Sequence, residues 1–159
     1  MTTDNKPVQD EILTTKEDGI LTIVLNRPHA RNAISSEMVL PLAAIMEGAK
    51  ADPSVRCVVL RGTGEHFTAG GDVAGFRKTL ELGAQTRQEQ FHGRLDRAAR
   101  MVRAFAEFDR PIIAVCRGGI AGAGLMLTLT ADLVLADDTA TFVFAHQRMA
   151  LIPDGGVSW

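Results

Sequence analysis

The sequence predicts an α/β protein with mainly parallel strand pairing. Three observations carry that expectation. Two largely apolar, β-branched runs, Val55–Leu60 and Ile112–Cys116, read as strands buried on both faces. They alternate with two long helical stretches, Ser36–Ala49 and Thr86–Phe108, in the strand–helix–strand order that builds a parallel sheet. Each of the two strands also runs into a glycine-rich loop, and each loop opens a helix.

Taken in order, residues 1–10 form a frayed lead. Ile12–Thr15 and Ile20–Leu25 flank Glu17-Asp18-Gly19, a hairpin signature in which Gly19 supplies the positive φ. Asn26-Arg27-Pro28 ends the second strand, because Pro28 has no N–H to extend a ladder. Helix Ser36–Ala49 spaces Met38, Leu42, Ile45, Met46 and Ala49 for one apolar face, and Asp52-Pro53-Ser54 breaks it. After strand Val55–Leu60, Arg61–Asp72 is a loop with glycines at 62, 64, 70 and 71.

Thr86 and Glu89 fit a capping box at the start of the second helix. Its inner stripe is Phe91, Leu95, Ala98, Val102, Phe105 and Ala106, and Asp109-Arg110-Pro111 stops it. Strand Ile112–Cys116 leads into the second glycine-rich loop, Arg117–Gly124, then helix Leu125–Thr130. Leu133–Ala136 and Thr141–Ala145 are short strands.

The chain has 159 residues, 46% apolar and 23% charged, enough for one domain with a sizeable core. Its net charge of −2 gives no electrostatic case for nucleic acid or an acidic membrane as partner. No apolar run is long enough to span a bilayer. The start, MTTDNKPVQDE, lacks the apolar core of a signal peptide, so a cytoplasmic protein is expected. Cys57 and Cys116, each in an apolar run, read as buried thiols rather than a metal pair or disulfide. The chain stops at Val157-Ser158-Trp159, just past a Gly-Gly turn. An exposed tryptophan there reads as a truncation of a longer protein.

A helix start presents unpaired N–H groups and a partial positive charge, so both glycine-rich loops suit an anionic atom. A dinucleotide site would want G-x-G-x-x-G. Gly119-x-x-Gly122-x-Gly124 has the reverse spacing, and no acidic residue follows at the required distance. A phosphate loop needs Gly-Lys-Ser/Thr, which is nowhere in the chain. Glycines that merely let helices pack close to the sheet remain the plain alternative.

Four segments, in order, carry a resemblance. Leu25-Asn26-Arg27-Pro28 with Asn32-Ala33, Phe67-Thr68-Ala69-Gly70-Gly71-Asp72, the stretch PIIAVCRGGIAGAGLMLTLTAD at 111–132, and Ile152-Pro153-Asp154-Gly155-Gly156 resemble the enoyl-CoA hydratase/isomerase (crotonase) superfamily, most closely its phenylacetate-pathway isomerase branch. The resemblance covers about residues 12–159. It implies a crotonase-like spiral of ββα units, with residues 1–159 as an incomplete, N-terminal acyl-CoA-binding core that stops before a C-terminal helical region. It also implies an acyl-CoA partner, no cofactor beyond the CoA of the substrate, no metal, and a homotrimer or dimer of trimers for a full-length chain.

Carried over residue by residue, the resemblance places two backbone donors to a thioester oxygen on Gly71 and Ala123. Proton removal beside a thioester puts charge on that oxygen, and two fixed donors stabilise the enolate. Ala69, Asp72 and Val73 fall in the segment that lines the CoA channel. Arg27 and His29 would approach CoA phosphates, with Arg27 as a plain surface charge the alternative. His66 and His92 read as surface histidines without partners.

Hydratases of this family use two glutamates, whose positions fall here on Met126 and His146, neither a carboxylate. Met126 then reads as acyl-pocket lining or core. Asp154 remains, at a point where some family isomerases place a single acid/base; burial in an acyl pocket would raise its pKa. The alternative for Asp154 is a turn former capping its own backbone. His146 is either a second acid/base, serving hydration, thioester hydrolysis or C–C cleavage, or a satisfied histidine at a strand end. With both glutamates absent, an inactive acyl-CoA binder also stays open.

Overall fold

A computed structural model describes residues 8–157. Most of the N-terminal lead, and the terminal Trp159, lie outside the described residues. A single turn α1 (Val8–Glu11) leads into β1 (Ile12–Glu17) and β2 (Ile20–Leu25), an antiparallel hairpin with Glu17 opposite Ile20. Both connecting residues have positive φ, Asp18 at 50° and Gly19 at 80°, the mirror-image turn that suits strand twist. From the sequence, that conformation is expected at Gly19 alone.

Helix α2 (Ser36–Ala51) buries Met38, Leu42, Ala43, Met46 and Ala49, essentially the expected stripe. Strand β3 is Cys57–Gly62, two residues later than expected. Val55 closes a turn on Asp52, and Arg56 N–H donates to Gly19 C=O, so both residues are used before the ladder begins. Pairing with β2, Ile20 opposite Cys57 through Leu25 opposite Gly62, sets the strand's limits.

After the short helix α3 (Val73–Arg77) and a 3-10 turn, Lys78–Glu81, comes α4 (Ala84–Ala106). Its cap residue is Gly83 and no side chain caps it, so the Thr86–Glu89 box is not formed. The inner stripe is also only half right. Met101 and Phe105 are buried, but Phe91 and Leu95 are 53% and 42% exposed. The first half of α4 stands off α2 across a cleft of about 420 Å³ lined by Ser36, Glu37, Glu89 and Arg97. Polar side chains on both walls leave no apolar surface to close there. Lower down, the Arg100 guanidinium grips Glu47 through two bonds of 2.8 and 2.7 Å.

Strands β4 (Ile112–Cys116) and β6 (Leu133–Ala136) complete a five-stranded sheet in the order β1-β2-β3-β4-β6, parallel from β2 onward. Between them lie β5 (Gly119–Ala121) and α5 (Ala123–Leu129). β7 (Thr141–Val143) pairs with β5 in a separate two-stranded parallel sheet. A 3-10 turn, Ala145–Met149, follows.

The core lies on one face of the main sheet, where Ile23, Leu25, Val58, Leu60, Ile112 and Ala114 meet α2 and the end of α4. The alternate residues Val59 and Ile113 are half-buried and Val115 is exposed, as is all of β6. The expected burial of β3 and β4 on both faces is therefore corrected: among the described residues only one face is covered. Cys116 is buried and Cys57 half-buried, and both thiols are free.

Candidate active site

Parallel pairing of β3 with β4 brings their C-terminal ends side by side, and with them the two glycine-rich loops. The first loop threads between two neighbours. On one side Ile34 N–H donates to Gly70 C=O at 2.7 Å and Asp72 N–H returns to Ile34 C=O at 3.0 Å. On the other, Phe67 N–H donates to Arg117 C=O, Thr68 N–H to Gly119 C=O, and Ala121 N–H to Thr68 C=O. β7 then carries the arrangement on, with Val143 C=O accepting from Gly122 N–H at 3.4 Å.

Two glycines are needed for this closeness. A Cβ on Gly70, whose φ is +91°, would stand 2.6 Å from Ala121 O and 3.2 Å from Ala123 N. A Cβ on Gly124 would stand 2.6 Å from Thr68 Cγ2. The glycines thus do let the backbone pack closely, and that packing sets the loops against each other.

The N–H groups of Gly71 and Ala123, the two that the resemblance names, are among those left over. In the bridge between Ile34 and Gly71 the bonds run through Gly70 and Asp72, which turns the Gly71 N–H away from Ile34. Ala123 is the first residue of α5, where a helix has no internal acceptor for its N–H. Among the described residues, neither Gly71 nor Ala123 donates its backbone N–H to a protein acceptor.

The other expected residues fall around them. Ala69 and Val73 are exposed. Asp72 Oδ1 accepts from Gly75 N–H at 3.2 Å at the start of α3, and its Oδ2 is 3.2 Å from both Arg27 Nη atoms. Arg27 also donates to Ala33 C=O at 2.6 Å, and its Nε lies 2.9 Å from Glu11 Oε1. The Arg27 side chain is mostly buried between these two carboxylates, so it is not a plain surface charge. His29 and His92 are exposed.

Three residues that hold the loops were missed as such in the sequence. Asn32, fully buried at φ +54°, accepts from Arg27 N–H and donates to Thr63 C=O and His66 C=O at 2.8 and 2.7 Å. Thr68 is fully buried and bonds to both Asn32 and Gly70. His66, expected to be a surface histidine without a partner, is half-buried and its Nδ1 accepts from Gly119 N–H at 2.9 Å. The one signal the sequence offers is the residue type of Asn32, since asparagine tolerates the left-handed region better than most residues.

Asp154 and His146 are brought together. His146 Nε2 lies 2.9 Å from Asp154 Oδ1. His146 sits in the 3-10 turn after β7, not at a strand end, and is 8% exposed. Its Nδ1 is buried without a partner. The Asp154 side chain is 66% exposed, so among the described residues it is not buried in an acyl pocket. Its carbonyl accepts from Val157 N–H in a turn, while its carboxylate goes to His146 rather than to its own backbone. Met126, buried, packs under Gly155, where a Cβ would come within 3.0 Å of Sδ.

A second cleft, about 350 Å³, lies beyond β3, β4 and β6 and is lined by Arg61, Cys116, Arg117 and Asp137. It includes neither free N–H nor the His146–Asp154 pair. Thr139, and then Arg117 3.5 Å away, hold Asp137 below the usual carboxylate range.

Comparison with known proteins gives a consistent answer. Residues 15–159 match the family described as enoyl-CoA hydratase/isomerase. The chain is 36% identical over 153 residues to 1,2-epoxyphenylacetyl-CoA isomerase of Escherichia coli (strain K12), covering 93% of this chain and 55% of that protein. It is 33% identical to the peroxisomal enoyl-CoA delta isomerase 3 of Mus musculus, covering 91% and 44%. A crystal structure of an enoyl-CoA hydratase/isomerase from Marinobacter aquaeolei superposes with a TM-score of 0.82 at 32% identity, over 91% of this chain and 55% of that one. The chain thus spans about half the length of the curated relatives it matches.

Proposed function

We infer that this chain, which belongs to the enoyl-CoA hydratase/isomerase family, is the acyl-thioester-binding core of an enzyme that moves a double bond along an enoyl-CoA. The observation that carries this reading is a pair of unpartnered backbone N–H groups, Gly71 and Ala123, on two loops in contact, with Asp154 the one acid/base carboxylate of the carried-over set and Met126 in place of a second. The isomerase names of two relatives support it further.

In this reading the thioester oxygen lies against the Gly71 and Ala123 N–H groups. Asp154 removes a proton from the carbon beside the carbonyl, and the C–H electron pair moves into the enolate, whose charge the two donors stabilise. Asp154 then returns the same proton to the far end of the conjugated system. The double bond has shifted, and no water or redox partner is consumed. One carboxylate suffices for this cycle, whereas hydration needs a second group to activate water. Ala69 and Val73, both exposed beside Gly71, would face the CoA arm, and Asp72 with Arg27 would hold that segment in place. CoA arrives with the substrate, so no separate cofactor is invoked. A trimer, or a dimer of trimers, is the assembly we propose for a full-length protein.

The test is turnover of a Δ3-enoyl-CoA to its Δ2 isomer by the purified protein, followed by the absorbance of the conjugated thioester. Asp154→Asn should abolish conversion while calorimetry still detects acyl-CoA binding. Unchanged turnover in that variant would refute Asp154 as the base.

A further inference from the structure

We propose that His146 is a positioning residue that fixes the Asp154 carboxylate relative to the second glycine-rich loop. This rests on Asp154 being the base in the reading above. Three observations support it. First, Asp154 sits in an irregular stretch with a largely exposed side chain, and its carboxylate has one partner among the described residues, His146 Nε2 at 2.9 Å. Without that bond the side chain is free to rotate into solvent.

Second, His146 is itself held. It is buried, and its carbonyl accepts from Leu151 N–H at 3.0 Å. The preceding Ala145 packs against the loop, its Cβ 4.0 Å from where a Cβ on Gly122 would stand. Val143, at the end of β7, accepts from Gly122 N–H. The carboxylate is therefore tied, through His146, to the residue that precedes Ala123.

Third, the unpartnered Nδ1 decides the direction of the bond. An ionised carboxylate only accepts, so the proton in the His146–Asp154 bond belongs to Nε2. With the ring neutral, Nδ1 then carries a lone pair in its closed surroundings. The opposite tautomer would bury an N–H with no acceptor and set a lone pair against a carboxylate, two penalties at once. Fixing Oδ1 in this way leaves Oδ2 as the oxygen that takes and returns the proton.

The proposal separates from the functional reading by its tests. In 15N NMR of the wild-type protein His146 should show the Nε2–H tautomer, and Asp154→Asn, a change at an exposed side chain, should shift the His146 ring resonances. The Nδ1–H tautomer, or a ring unaffected by Asp154→Asn, would overturn the proposal whether or not the protein turns over an enoyl-CoA. In turnover, His146→Leu should lower kcat by about 100-fold, the scale of losing alignment at a reacting group, with KM changed little. His146→Gln, which keeps an N–H near Nε2, should recover most of the loss. Wild-type kcat in the leucine variant, or equal losses in both, would also overturn it. Absence of turnover in the wild-type protein would instead refute the isomerase reading and leave the tautomer to decide the positioning role.

Discussion

Thr68 Oγ1 donates to the carbonyl of Asn32 at 2.6 Å and accepts from the amide of Gly70 at 3.1 Å. Both residues are fully buried. One hydroxyl therefore links the turn after β2 to the residue just before Gly71. Asn32 extends the link to Thr63 and His66, so the first glycine-rich loop is held by side chains at its start and its end.

Removing that hydroxyl should be costly. Thr68→Val keeps the shape but leaves the Gly70 N–H and the Asn32 C=O without their partner, a loss of about 1–3 kcal/mol in urea unfolding. Thr68→Ser keeps both bonds and gives up one buried methyl, about 0.8 kcal/mol. Equal losses would mean that packing rather than the hydroxyl matters.

Glycine-to-alanine changes should have opposite signs at two positions. At Gly70 the new Cβ meets Ala121 O at 2.6 Å with φ at +91°, so the variant should be destabilised and lose turnover. Gly48, within α2, has nothing within 4 Å of an added Cβ. Alanine there should stabilise by about 0.5–1 kcal/mol. Thermal unfolding of the two variants reads out both.

Cys116 should make the fold sensitive to alkali. Burial pushes its thiol up to about 11, whereas a free thiol titrates at about 8.5. Across that window the folded chain keeps a proton that the unfolded chain has released. This contribution is neutral below the window, and stability falls as pH rises through it. Unfolding free energy measured in urea should drop less between those limits in Cys116→Ala than in the wild type. An unchanged slope would contradict the assignment.

The donor role proposed for the Ala123 N–H can be tested by one substitution. Proline is tolerated at the first position of a helix, where the N–H has no internal acceptor, and Ala123 is that residue in α5. Ala123→Pro should keep the far-UV circular dichroism spectrum and raise the barrier to enolisation by about 2.7–4 kcal/mol, seen as a fall in kcat. A folded variant with wild-type kcat would remove Ala123 N–H from the mechanism.

Much of the fold was legible because its strands are apolar runs with sharp ends. β2 and β4 match the reading residue for residue, each bounded by Gly19, Pro28, Pro111 or the glycines after Cys116. β3 shifted because its limits come from β2 across the sheet, which a local pattern does not encode. The Thr86–Glu89 box failed for a related reason: the spacing is right, but the helix already runs from Ala84. At the site, the two loops followed from glycine placement, and Gly71 and Ala123 were named within them by family resemblance. The side chains that hold them did not. Thr68 meets Asn32 across 36 residues and His66 meets Gly119 across 53, and separations of that size leave no trace in spacing.

The packing of Met126 under Gly155 also bears on how this chain could change its chemistry. A glutamate at 126 would start from a side chain 4% exposed, with the Gly155 backbone directly above it. Its charge would be stripped of water there, which a carboxylate resists strongly. A single exchange at that position would therefore give a carboxyl that burial keeps protonated, and its ionised form would need room and water. The loop carrying Asp154 and Gly155 would have to lift at the same time, moving the existing carboxylate as it did so. For a designer, residues 126 and 154–155 are one unit, to be varied together or left alone.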